Sequence, residues 1–148
     1  MSAVSAAQVP PTELSAPREP LGSSQADDPQ VWERVCLLRD LLVERGVAAL
    51  VGGAQVAIFR LPDDTVRAVQ QRDPYSGANV MSRGIVGTRG GVPTVAGPMY
   101  KQVFDLATGR CLEAVGYTPV DGLAPDLVTW PVEVRDGVVH VGTPGTRP

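Results

Sequence analysis

Histidine occurs once among 148 residues, as His140, and cysteine twice, as Cys36 and Cys111. A [2Fe–2S] centre held by two thiolates and two imidazoles needs a second imidazole that this chain does not contain. A zinc or cluster site built from four cysteines fails on the same count. The two cysteines could close one disulfide, but buried free thiols are the expectation for a cytoplasmic chain. Long apolar runs are missing too, since no stretch approaches the roughly 20 residues a membrane helix needs. The first 30 residues lack the charged-then-apolar order of a secretory signal. Positive charge is not in excess: the net charge of −3 gives no electrostatic case for nucleic acid or an anionic membrane as partner. These absences point to a cytoplasmic protein without a nucleic-acid or membrane partner.

What is present is ordinary for a globular domain, with 43% hydrophobic and 20% charged residues. The length suits one domain. Sixteen glycines and fourteen prolines favour many short elements joined by turns. Residues 1–30 hold five prolines and no aromatic. They cannot bury enough surface to offset their ordering entropy, so they read as a disordered tail, with ordering against a partner as the alternative. The folded part is expected over 31–143, followed by a short tail at 144–148.

Val31–Cys36 reads as a strand with Val31, Val35 and Trp32 packing inward. Leu38–Gly46 has apolar residues at helical spacing and a glycine stop, which predicts one or two helical turns. Short strand-like runs follow at Val47–Val51, Gln55–Leu61, Val66–Gln70, Val92–Ala96, Gln102–Leu106 and Cys111–Leu112. The clearest hairpin is last, where Asp136-Gly137 separates Val132 and Val134 from Val138–Val141. Pro62-Asp63-Asp64 is a further turn between strands. Short strands at close spacing, one brief helix and no βαβ rhythm predict an all-β fold, a small antiparallel sandwich or barrel with one short helix.

No chemistry-bearing constellation stands out. Asp63, Asp64 and Asp105 are scattered turn carboxylates rather than a paired acid and base. His140 lies in a hairpin strand and reads as a surface or satisfied histidine. "SRGIVGTRGG", residues 82–91, lacks the Gly-x-Gly-x-x-Gly spacing of a phosphate loop and no strand–helix unit follows it. It reads as a solvated turn, or alternatively as a docking element.

Two loops carry a resemblance. "DPYSGANV" at 73–80 and "GPMY" at 97–100, the latter followed by a strand and tight turn through Phe104–Gly109, are similar to the two ligand loops of Rieske iron–sulfur domains. In those loops the ligands are Cys-x-His and Cys-x-x-His. Here Asp73 and Gly97 stand at the cysteine positions, and Tyr75 and Tyr100 at the histidine positions. All four depart from the pattern: glycine offers no ligating side chain, and carboxylate and phenol oxygens suit iron–sulfide poorly. More narrowly, "RDPYSGANVMSRGIVGTRGGVPTVAGPMYKQVFDLATGRCLE", residues 72–113, resembles the small subunit of assimilatory NADH-dependent nitrite reductase, the NirD family. The similarity runs from about Trp32 to Val141.

That resemblance implies a Rieske-like fold without a cluster, and a non-catalytic subunit that binds a large catalytic subunit in nitrogen assimilation. It implies no cofactor in this chain. FAD, a [4Fe–4S] cluster and sirohaem are expected in the large subunit, where nitrite is reduced to ammonium with electrons from NADH. Tyr75 and Tyr100 are expected to approach each other where the cluster would sit, either filling that volume or anchoring a partner. Arg72, Arg83, Arg89, Met99 and Lys101 are the candidate partner-binding residues. A Rieske-like ferredoxin, or a β-sandwich binding module serving another oxidoreductase, are the rival readings.

Overall fold

Three antiparallel sheets make up the computed structural model, which describes residues 31–144. The expected tail at 1–30, and all but the first residue of the one at 144–148, lie outside the described residues. The strands are β1 (Trp32–Leu37), β2 (Gly46–Val51), β3 (Ala54–Arg60), β4 (Val66–Gln70), β5 (Ile85–Arg89), β6 (Val92–Ala96), β7 (Val103–Asp105), β8 (Cys111–Glu113), β9 (Thr129–Trp130), β10 (Val132–Arg135) and β11 (Val138–Gly142). They pair in the orders β1-β11-β10, β2-β3-β4-β9 and β5-β6-β7-β8.

The middle sheet is buried on both faces, and its sequence says why. "AQVAIFRL" in β3 is apolar at consecutive positions rather than alternate ones, as a strand covered on both sides must be. Successive side chains point to opposite faces. Ala57, Phe59 and Leu61 therefore join one cluster with Val95, Phe104 and Leu106 of the β5–β8 sheet. Val56 and Ile58 join another with Val139 and Val141 of the β1-β11-β10 sheet. β4 divides likewise, with Val69 on the first side and Val66 and Ala68 on the second.

The all-β expectation holds, and most expected strands fall within a residue or two of their ladders. The expected helix over Leu38–Gly46 reduces to a single 3-10 turn at Leu38–Asp40. Leu41 is already extended and buried, and Val43 forms a bridge with Arg60. A second 3-10 turn, Met81–Arg83, was not expected. Val31 is 61% and Trp32 38% exposed, so of the three residues expected inward on the first strand only Val35 packs on a core. The stretch at 82–91 is not a turn alone: Ile85–Arg89 is a strand paired from Ile85↔Ala96 to Arg89↔Val92. Gly90 and Gly91, at φ +59° and +81°, make the two-residue hairpin turn that needs two left-handed residues.

Candidate functional site

Three loops meet at one place on the β5–β8 side: 71–80 after β4, 97–102 between β6 and β7, and 114–126 between β8 and β9. Each is fixed by its own short-range chemistry.

The first loop is organised by Asp73, which is completely buried. Its Oδ1 accepts the Tyr75 backbone N–H at 2.9 Å, and its Oδ2 accepts the Ser76 hydroxyl at 2.9 Å. Its own N–H donates to the Ala78 carbonyl, and its carbonyl accepts from Gly77 N–H, both at 2.8 Å. A short polar side chain that caps its own turn is the standard use of aspartate in such loops. Arg72 Nε donates to the Gly77 carbonyl at 3.1 Å, tying the rim.

Tyr75 turns into the core rather than toward the second loop. Its ring sits tilted against Phe104, centroids 6.1 Å apart, and its hydroxyl donates to Cys111 Sγ at 3.3 Å. Burial, reinforced by that hydrogen bond, pushes the phenol pKa above the ordinary tyrosine value. Tyr100 instead faces outward and stacks on Tyr117 of the third loop, centroids 4.6 Å apart and planes 10° from parallel. The two tyrosines therefore pair with different rings, contrary to the expectation that they approach each other.

The second loop brings Gly97 beside Asp73. A Cβ placed on Gly97 lies 3.6 Å from Asp73 Oδ2 and 3.7 Å from Met81 Sδ, so the two positions expected to correspond to Rieske cysteines are neighbours. Gly97 N–H donates to the Gln102 carbonyl at 2.8 Å. Gln102 is fully buried, and its Nε2 donates to the Ala114 carbonyl at 3.2 Å. Its Oε1 finds no partner among the described residues. The third loop straps the others, with Val120 N–H on the Pro74 carbonyl at 2.8 Å and the Tyr117 ring on Tyr100.

These residues do not fit a [2Fe–2S] cluster. The Asp73 carboxylate is spent on its own loop, Gly97 offers no donor, Tyr75 is committed to Phe104 and Cys111, and Tyr100 to Tyr117. Cys36 lies on β1, opposite Val139, and His140 on β11, opposite Arg34 and Glu133, in the sheet beyond the central one. Among the described residues no group of three or more His, Cys, Asp or Glu could hold a metal ion.

The candidate binding residues divide. Met99 and Lys101 flank Tyr100 in one exposed turn, with Lys101 at φ +69°. Arg72 and Arg83 are exposed, Arg72 on the first loop and Arg83 ending the Met81–Arg83 turn. Arg89 stands apart. It lies four residues along β5 from the Ile85–Ala96 pair that adjoins the second loop, ~13 Å at strand spacing. Its guanidinium is paired with Glu113 at 2.8 Å.

Sequence reasoning missed the third loop altogether. Tyr117, Val115 and Val120 are exposed there, and Tyr117 extends the apolar surface of Met99 and Tyr100. Gly116-Tyr117-Thr118-Pro119 announces a turn, but nothing in its spacing connects it to residue 100.

The family described as the Rieske-like [2Fe-2S] domain matches residues 31–142. The chain is 38% identical over 111 residues to a nitrite reductase (NADH) small subunit of Salmonella typhimurium, covering 74% of this chain and 95% of that one. It is 39% identical over 111 residues to a nitrite reductase [NAD(P)H] large subunit of Klebsiella oxytoca, where the match spans 75% of this chain but only 11% of the relative. A crystal structure described as an NADH-dependent nitrite reductase small subunit from Mycobacterium tuberculosis superposes with a TM-score of 0.70 at 42% identity, over 80% of this chain and all of that one.

Proposed function

The chain belongs to the NirD family of NADH-dependent nitrite reductase small subunits, Rieske-like in fold, and from that premise we propose that it is a non-catalytic subunit that binds the large catalytic subunit. The observation that carries this reading is the pair of matches to relatives. One domain type recurs as nearly the whole of a small subunit and as about a tenth of a chain named a large subunit. A domain found both beside and within the catalytic chain is one that works in contact with it.

The reaction then belongs to the partner. FAD, a [4Fe–4S] cluster and sirohaem in the large subunit carry electrons from NADH to nitrite and release ammonium, in cytoplasmic nitrogen assimilation. The protein around such cofactors supplies placement and electrostatics. This chain brings no cofactor, because its two ligand loops are closed by Asp73, Tyr75 and the Tyr100–Tyr117 stack. Nor is an acid–base pair assembled among the described residues. The rival ferredoxin reading needs a cluster that these loops do not fit.

The docking face is the exposed side of the three loops. Tyr100, Tyr117, Met99, Val115 and Val120 form its apolar centre, with Arg72, Arg83 and Lys101 as its cations. Arg89, paired with Glu113 at the far end of β5, stands outside this face. Aromatic and methionine anchors inside a polar rim suit a protein partner.

The test is reconstitution. The sirohaem-loaded large subunit is assayed for NADH-dependent nitrite turnover with and without this chain, alongside iron and acid-labile sulfide analysis of the chain alone. The expected result is co-migration of the two chains in gel filtration, a change in turnover, and no iron in this chain after anaerobic reconstitution. Stoichiometric iron with a Rieske-type paramagnetic signal, or separate migration of the chains, overturns it.

A further inference from the structure

Among the described residues, four two-residue turns have both central residues left-handed. Gly52-Gly53 stands at φ +55° and +84°, Gly90-Gly91 at +59° and +81°, Asp136-Gly137 at +51° and +75°, and Val115-Gly116 at +56° and +78°. The first three join β2 to β3, β5 to β6 and β10 to β11. The fourth lies in the third loop and is closed by the Tyr117 N–H on the Ala114 carbonyl at 3.0 Å. Such turns take glycine, asparagine or aspartate at the first central position, because a left-handed backbone crowds a Cβ. Three of the four obey. Valine at 115 does not, and a branched Cβ is the least tolerated there.

The fold does not ask for this side chain. Ala114 packs against the core, but Val115 belongs to neither buried cluster and is 44% exposed. The turn is held by its neighbours instead. The Ala114 carbonyl accepts Gln102 Nε2 at 3.2 Å as well as the Tyr117 N–H, and the Tyr117 ring is stacked on Tyr100. Among the described residues Asp64 and Asp136, of a type that tolerates this backbone, share the left-handed region with Glu44, Lys101 and Val115. Of these Val115 alone is β-branched.

We infer that Val115 is a binding residue for the large catalytic subunit, kept in a strained turn because its apolar side chain enters the partner surface beside Tyr117. Strained backbone that its surroundings hold in place gathers at sites of function. A turn already fixed by Gln102 and by the Tyr100–Tyr117 stack also presents that side chain with little ordering left to do on binding. The inference rests on the proposed docking through the three loops. It adds that stability and binding are opposed at residue 115: a substitution that relaxes the turn strengthens the isolated chain and weakens the complex.

The experiment pairs thermal melting of the full chain with calorimetric titration against the large catalytic subunit, for the parent and two variants. Val115→Asn gives the turn a residue suited to it, so Tm rises by ~5 °C while affinity falls ~10-fold or more. Asp136→Val makes the reverse exchange in the turn between β10 and β11, outside the three loops. It lowers Tm by a similar amount and leaves the affinity unchanged. A Val115→Asn chain that melts no higher than the parent, or an Asp136→Val chain that melts no lower, removes the strain and overturns the inference. A Val115→Asn chain that binds as tightly as a binding parent overturns it too, and leaves docking through the loops to other residues. Equal loss of affinity in both variants assigns the effect to turn chemistry anywhere in the chain, and overturns it as well. A parent that does not bind the large subunit fails the docking reading itself, and the inference with it.

Discussion

Replacing Asp73 by alanine removes both acceptors that hold the first loop. The Tyr75 N–H, buried beside the core, loses a carboxylate partner at 2.9 Å that is itself fully buried. Hydrogen bonds to charged acceptors contribute ~1.5–3 kcal/mol, and a buried donor left unsatisfied costs about 1–3 kcal/mol. The Ser76 hydroxyl is only half-buried and can turn toward water, so its loss adds little. The expected destabilisation is therefore about 3 kcal/mol, or ~12 °C in Tm for a domain near this size. Asp73→Asn keeps one oxygen for Tyr75 and offers Ser76 a donor it can accept, so it costs about 1 kcal/mol. Asp73→Cys restores the residue type of a Rieske loop, but a thiol is a weak acceptor and the loss approaches that of alanine. Thermal and urea unfolding followed by circular dichroism measure all three. An alanine variant within ~0.5 kcal/mol of the parent, the usual range for an inconsequential surface change, would refute the claim that Asp73 closes the loop.

Tyr75→Phe keeps the ring on Phe104 and loses the bond to Cys111 Sγ, for an expected cost of about 0.5–1.5 kcal/mol in urea unfolding at neutral pH. Because burial raises the phenol pKa in the folded state, its share of stability is full below the unfolded value near ~10 and is lost as pH rises above it. The parent should accordingly lose stability above pH ~10 more steeply than Tyr75→Phe, and parallel curves would contradict this. Gly97→Ala should be nearly neutral, since its Cβ meets neighbours at 3.6 Å and beyond, whereas Gly109→Ala drives a Cβ into the Leu127 carbonyl at φ +80°. Melting curves should separate the two by several degrees, and equal melting temperatures would show that the second site gives way.

The sequence shows the skeleton of this fold where the pattern is local. Asp136-Gly137 and the flanking valines announce β10 and β11, and "AQVAIFRL" announces a strand that something must cover on both faces. β5 escaped because Ile85–Arg89 turns most of its side chains to solvent and is flanked by glycines. Its strand state comes from the ladder with β6, not from its own composition. The helical spacing in Leu38–Gly46 misled because Leu41 is placed by core packing and Val43 by its bridge with Arg60. At the site, the departures from the Rieske loop pattern were legible as residue types, but what those residues do instead was not. That Asp73 caps its own loop and that Tyr75 finds Cys111, 36 residues away, are products of tertiary packing. The stack of Tyr100 on Tyr117 is another, and it moves the apolar centre of the proposed docking face onto a loop with no motif of its own.

Docking through the three loops is tested most directly by the affinity of this chain for the large catalytic subunit, measured calorimetrically for the parent and for Tyr117→Ser and Lys101→Glu. Both residues are exposed, so the variants should fold as the parent does. The account predicts saturable binding by the parent. It predicts a loss of ~10-fold or more for Tyr117→Ser, because removing an aromatic anchor from an interface centre commonly costs ~2 kcal/mol. Reversing the Lys101 charge should bring a smaller, salt-dependent loss. Absence of binding at ~100 μM, or parent-like affinity in both variants with circular dichroism unchanged, would contradict it.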